Sequence, residues 1–239
     1  MKQRSEKIVE RIIQEHKDQK KKKNNESATH EDFVDVLLKF QDRMTLEIFA
    51  AGSETSSSAV DWAMAEMIRN RRVMKKAQEE VRQVFNKKGK VDEAGISDLK
   101  YLKSVVKETL RLHPSAPLLL PRESINAWAI GRDPKYWTEP ESFMPERFVD
   151  SNIDFKGNNF EYIPFGAGRR ICPGISYGVL NIELPLAFLL YHFDWKLPYG
   201  LKHEDLDMTE LFGVSVRRKD HLSVIPIAYD DLKINSQEG

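Results

Sequence analysis

A single cysteine, Cys172, stands among the 239 residues of this chain. That excludes a disulfide framework and fits a reducing compartment. Neither sign of charge is in excess, since 37 Lys and Arg cancel 37 Asp and Glu, so no overall field draws in nucleic acid. No apolar run suits a bilayer: the longest, residues 178–193, is interrupted by Glu183 and Pro185 and reads as a core helix. No signal peptide and no internal repeat is visible. The lysine run Lys20–Lys23 lacks interleaved aromatics or glycines and reads as a solvated stretch between helices, not a nucleic-acid patch. What remains is ample: a 27.7 kDa chain that is 41% hydrophobic and 31% charged can bury a substantial core.

Apolar periodicity places short helices around Ile8–Ile13 and His30–Phe40, then a long one over residues 44–70. Further helices are expected over 73–85, 98–112 and 175–192, with another opened by Arg132-Asp133-Pro134. Strand candidates are few and short: 126–130, and a C-terminal hairpin from 193–197 and 222–227. The predicted class is mainly α with small β elements.

One stretch organises the rest: Phe165-Gly-Ala-Gly-Arg-Arg-Ile-Cys-Pro-Gly174. Cys172 precedes a helical run, with Pro173 expected at its first position, where a missing N–H costs nothing. Free amides and the helix dipole favour a thiolate there. The flanking glycines let the backbone pass close to a large flat group. A lone cysteine is ordinarily a small buried hydrophobe. The pattern Phe-x-x-Gly-x-Arg-x-Cys-x-Gly, however, arises by chance only on the order of once in 10⁶ to 10⁷ start positions.

At these residues the chain resembles the haem-thiolate monooxygenases, the cytochromes P-450. The resemblance implies haem b as cofactor, with Cys172 as the axial ligand to its iron, pushing electron density that favours O–O cleavage. It implies that Arg170 pairs with a haem propionate and Phe165 shields the sulfur, while Gly166, Gly168 and Gly174 shape the loop. Within the 44–70 helix, Ala51 and Gly52 are followed by Ser53, Glu54, Thr55 and three further serines. Small and hydroxylic residues are locally unfavourable in a helix interior. They mark either a functional site or a helix kink where another backbone crosses closely. By resemblance, Ala51 and Gly52 leave room for dioxygen over the haem, and Glu54 with Thr55 forms an acid–alcohol pair that relays protons.

Glu108 and Arg111 stand three apart on one helical face, either as an exposed salt bridge or as a buried pair needing further partners. By resemblance, Arg147 of Pro145-Glu146-Arg147-Phe148 completes a structural network with them that holds the cysteine segment. Arg122, after the apolar run Leu118–Leu120, could reach a propionate or lie free at the surface.

The resemblance covers residues 31–229 and points to the C-terminal half of a plant-type microsomal member. It implies a partial P-450 fold, with an N-terminal helix and basic linker over 1–30 and the catalytic part over 31–239. The family's N-terminal half and membrane anchor have no counterpart here, and residues are missing relative to the family near Asp42 and after Ser124, as in a truncated form. Expected partners are an NADPH-dependent flavoprotein reductase, O2 and an apolar small molecule such as a terpenoid. The expected place is the cytosolic face of the endoplasmic reticulum membrane. The alternative is an inactive fragment of the same family without stable haem.

Overall fold

A computed structural model describes residues 43–119, 125–213 and 215–229. The expected helices over 8–13 and 30–40, and Arg122, lie outside them. By its internal contacts the chain divides into two units, Met1–Ser53 and Glu54–Gly239. Among the described residues the first unit holds only the N-terminal part of one helix.

That helix, α1, spans Arg43–Arg69 as one uninterrupted element. The serine-rich centre does not break it. From Ala59 onward its apolar positions (Ala59, Ala63, Met67 and Ile68) are buried. Asn70 ends it, with Asn70 Nδ2 donating to the Glu66 carbonyl at 2.8 Å. Helix α2, Arg71–Lys88, follows at once. Its buried positions Val73, Ala77, Val81 and Phe85 recur every fourth residue, the spacing of one helical face. Gly89 closes it in the left-handed region at φ 75°, donating its N–H to the Phe85 carbonyl; a glycine adopts that conformation without penalty.

A single turn, α3 (Glu93–Ile96), is capped by Asp92, whose side chain accepts from Gly95 N. A Cβ on Gly95 would overlap the Phe85 ring, so glycine is required for this approach. Helix α4 is Lys100–Leu112. It starts two residues later than the sequence pattern places it, because Leu99 cannot cap it. The acceptor comes instead from α2, where the Glu80 carboxylate takes Tyr101 N at 2.8 Å and Leu102 N at 2.9 Å. Helix α6, Ile175–His192, buries Ile182, Leu186 and Leu190. Helices α2, α4 and α6 pack on one another, and Phe85, Leu102, Leu186 and Leu190 there are wholly buried. Each such side chain contributes about 1.5–3 kcal/mol.

Three local expectations are corrected. Residues 126–130 are not a strand but a helical turn, α5 (Ala127–Ile130), because the Asn126 side chain accepts from Ala129 N at 3.0 Å and caps it. Arg132-Asp133-Pro134 opens turns, not a helix: Asp133 gathers donors around itself, accepting the N–H groups of Tyr136 and Trp137 on its carbonyl and that of Lys135 on its side chain. Pro173 is not the first residue of α6, which begins two residues beyond it after Gly174.

The β structure is slight. Strand β1 (Phe193–Lys196) pairs antiparallel with β4 (Ile225–Ala228), Phe193 facing Ala228 and Lys196 facing Ile225. Between them in sequence, β2 (Glu210–Leu211) pairs antiparallel with β3 (Arg217–Arg218). The two C-terminal strand candidates therefore meet, enclosing a second ribbon rather than forming a simple hairpin. The class is mainly α with small β elements, consistent with a partial P-450 fold. Among the described residues no helix is long and apolar enough to cross a membrane.

Candidate functional site

The cysteine loop is shaped by its backbone. Gly166 and Gly168 sit in the left-handed region, at φ 76° and 66°, where any other residue is strained. Between them and α6 lies a short 3-10 turn, Gly168–Arg170. The loop closes with Cys172 N donating to the Phe165 carbonyl at 2.9 Å, which places the cysteine just ahead of α6. Cys172 is a free, half-buried thiol. A Cβ on Gly174 would approach its Sγ to 3.9 Å, ordinary contact, whereas one on Gly168 would meet nothing within 4 Å. Arg170 is exposed and has no hydrogen bond or ion pair among the described residues.

These features fit a haem. The loop offers one soft donor at a helix N-terminus, open space over a glycine, and an uncommitted guanidinium two residues from the sulfur. Cys172 and Arg170 would hold the group. Among the described residues no cluster of His, Cys, Asp and Glu could hold a bare metal ion.

Behind the loop stands a dry ionic node. The Glu108 and Arg111 side chains are both 0% exposed. Arg111 Nε and Nη2 each donate to Glu108 at 2.8 Å. The rest of the guanidinium donates to the carbonyls of Gly131, Pro140 and Ser142. Arg147 Nε donates to Glu108 at 2.9 Å, and its Nη1 and Nη2 donate onward to the carbonyls of Thr138 and Glu139. Met144 N also donates to Glu108, at 2.8 Å. Glu108, Arg111 and Arg147 thus converge, and together they fix the backbone of 131–144.

Their bonds do not reach the cysteine loop itself. The link is aromatic. Trp137, beside both guanidiniums, meets Phe148 at 5.7 Å; Phe148 meets Tyr162 at 5.1 Å, Tyr162 meets Phe155 at 6.4 Å, and Phe155 meets Phe165 edge-on at 5.4 Å. Phe165 carries the carbonyl that Cys172 donates to. Burial, and then the charge of Glu108, holds the Tyr162 phenol well above its ordinary pKa, so it stays a donor, to the Lys107 carbonyl at 2.8 Å. The sequence shows Phe165 and Phe148 only within their motifs and gives no sign that these aromatics meet.

On α1, Glu54 is exposed and Thr55 half-buried, a step from water towards the interior. A second chain segment crosses here. Ser115 Oγ donates to the Thr55 carbonyl at 3.0 Å, and Ser115 in turn accepts Val216 N on its carbonyl. The Val216 carbonyl accepts from Ser58 Oγ at 2.9 Å and Trp62 Nε1 at 3.4 Å. Ser215 Oγ donates to Glu54 Oε1. Ala51 is exposed and Gly52 half-exposed, on the same helix one turn earlier.

Next to this crossing, His113 stacks flat on Trp62 at 3.8 Å and lies between Glu66 at 2.8 Å and Glu210 at 3.2 Å. Burial works to raise Glu210, but hydrogen bonding and charge from His113, with Arg132 and Trp128, pull it below the usual carboxylate range. The sequence shows His113 only as a helix end.

Comparison with known proteins follows the same lines. The family model for cytochrome P450 matches residues 1–126 and 124–223. Tabersonine 16-hydroxylase 2 of Catharanthus roseus is 53% identical over 262 residues, covering 93% of this chain and 51% of that protein. Desmethyl-deoxy-podophyllotoxin synthase of Sinopodophyllum hexandrum is 51% identical, covering 95% of this chain and 51% of its own length. Salviol synthase of Salvia pomifera is 49% identical, covering 93% and 50%. The chain spans about half the length of these relatives. With a family model matching nearly its whole length, and the cysteine loop and buried Glu108–Arg111–Arg147 node in place, the chain belongs to the cytochrome P450 family.

Proposed function

We propose that this chain supplies the haem-holding and proton-relaying residues of a monooxygenase acting on an apolar small molecule. The observation that carries the reading is Cys172: the only thiol, half-buried, free, and set by two left-handed glycines at the head of α6. When bound, haem supplies activation of dioxygen, with the thiolate favouring O–O cleavage. The overall balance is one substrate C–H, one O2, two electrons and two protons giving C–OH and water. NADPH is the electron source, through a flavoprotein reductase. Relatives named as a tabersonine hydroxylase and as salviol and desmethyl-deoxy-podophyllotoxin synthases support oxidation of a plant product of that kind, a terpenoid among them. The cytosolic face of the endoplasmic reticulum is the proposed place.

The chain's own residues divide the work. Cys172 would hold the haem through its sulfur, and Arg170 would hold a propionate carboxylate. Phe165, anchored edge-on to Phe155, covers the approach of water to the sulfur. The exposed Glu54 carboxylate would take protons from solvent, and the Thr55 hydroxyl, one residue further in, would carry them inward. Glu108, Arg111 and Arg147 touch none of this chemistry and hold the backbone behind it.

The test is spectroscopic. Purified protein loaded with haem, reduced and exposed to carbon monoxide is expected to show the Soret band of thiolate ligation, and Cys172→Ala to lose it. Absence of the band from the unaltered protein would overturn the reading in favour of an inactive member of the family.

A further inference from the structure

We propose that Ser215 is a positioning residue for Glu54: its hydroxyl holds the carboxylate at the solvent end of the proton path in one orientation. This rests on the acid role given to Glu54 above. The geometry is specific. Glu54 is exposed on α1, so its side chain alone has no packing to select a rotamer, and an unheld glutamate samples several. Ser215 Oγ donates to Glu54 Oε1 at 2.5 Å across 161 residues of chain.

The donor is itself held. Its neighbour Val216 is 1% exposed and bonded on both backbone groups: its N–H to the Ser115 carbonyl, its carbonyl from Ser58 and Trp62. Those contacts run along one face of α1, since Glu54, Ser58 and Trp62 are spaced four apart. Ser115 completes the frame by donating to the Thr55 carbonyl. The segment therefore grips the acid–alcohol turn by backbone and presents one hydroxyl to the acid.

A hydroxyl can donate to one carboxylate oxygen while the other stays open to water and to the next link, so the contact orients the relay without blocking it. Loss of the donor leaves the acid present but unaimed. Dioxygen reduction then diverts: two electrons and two protons give hydrogen peroxide in place of product and water.

Two measurements test the idea. In haem-loaded protein turning over with its reductase and NADPH, Ser215→Ala is expected to raise peroxide released per product about three- to tenfold, less than the roughly 10²–10⁴-fold that a proton-transfer group itself contributes, because the acid stays in place and only its aim is lost. Ser215→Thr, which keeps the hydroxyl, restores the ratio. Ser215→Ala adds nothing in a Glu54→Gln background, because the residue acts through Glu54. Separately, thermal unfolding of Ser215→Ala, Glu54→Ala and the double variant is expected to be non-additive, reporting the contact without reference to turnover. Additive melting temperatures, or equal peroxide ratios for Ser215→Ala and the unaltered protein when Glu54→Gln does change the ratio, overturn the inference and leave the acid role standing. If Glu54→Gln itself leaves the ratio unchanged, the acid role falls, and the inference with it, even where the melting temperatures couple.

Discussion

The node around Glu108 and the loop around Cys172 are neighbours through the aromatic chain, yet they are built on opposite rules. In the node the Glu108 and Arg111 side chains are fully buried and Arg147 is 11% exposed, and the donors of the Arg111 guanidinium end on carboxylate or carbonyl oxygen. In the loop the thiol is half-buried and free, Arg170 faces solvent, and the space over Gly168 is open. A buried charge left unpaired costs several kcal/mol, so a region that holds must leave no valence open. A region that binds must leave several. The two sets of family residues separate along that line.

Removing one member of each set should give opposite results. Arg111→Ala leaves Glu108 charged and dry with Arg147 as its one remaining cation beside the Met144 N–H, and is expected to cost about 3–5 kcal/mol in urea unfolding. Cys172→Ala abolishes the thiolate Soret band but changes the stability of the haem-free protein by no more than about 0.5 kcal/mol. A cysteine variant as destabilised as the arginine variant would erase the distinction. Gly131→Ala is a smaller probe of the node: an added Cβ would overlap the Arg111 carbonyl oxygen, and the shift needed should cost about 1–3 kcal/mol. Calorimetry of that variant showing an unchanged melting temperature would mean that the node tolerates movement it is argued to forbid.

The parts of this arrangement differ in how far the sequence shows them. The long helix, the Glu-x-x-Arg helix and α6 follow from periodicity, because burial of a stripe writes itself into spacing. Cys172 and Arg170 were legible because their motif is improbable by chance. The serine cluster on α1 carried two readings, and the structure gives content to the second for Ser58: another backbone does cross there, since Ser58 bonds the Val216 carbonyl. Ser115 and Ser215 were not legible. Their meaning lies in contacts across 60 and 161 residues of chain, and serine at a surface turn has no distinguishing pattern. Residues 126–130 misled for a physical reason. Four apolar residues in five suit a strand or a turn of helix equally, and only the Asn126 cap decides.

Pro145-Glu146-Arg147-Phe148 carries the same contrast within four residues, and Glu146 is its half-buried, solvent-facing member. Arg147 turns inward to Glu108, and Phe148 enters the aromatic chain, 4% exposed. Glu146 turns outward and accepts both terminal nitrogens of Arg72, at 2.7 and 3.0 Å, and the Tyr101 hydroxyl at 2.8 Å. The Arg72 hydrogen bonds, opposed by partial burial and aided by Tyr101, hold its carboxyl at about 2 against an ordinary 4.5. A carboxyl depressed by folding stabilises the folded state above its unfolded value and ceases to as pH falls through its folded one. The contribution is therefore full above about pH 4.5 and fades towards pH 2. Its size is small, below about 1 kcal/mol, because Arg72 is 67% exposed and the pair is screened. The stability difference between the unaltered protein and Arg72→Ala is expected to shrink as pH is lowered from 5 towards 2, and to shrink again in 1 M salt at neutral pH. The deficit of Arg111→Ala should hold in the same salt, since no ion reaches a pair with no exposed surface. An Arg72 deficit that grows in acid, or an Arg111 deficit that vanishes in salt, would show that exposure does not separate the two halves of this motif.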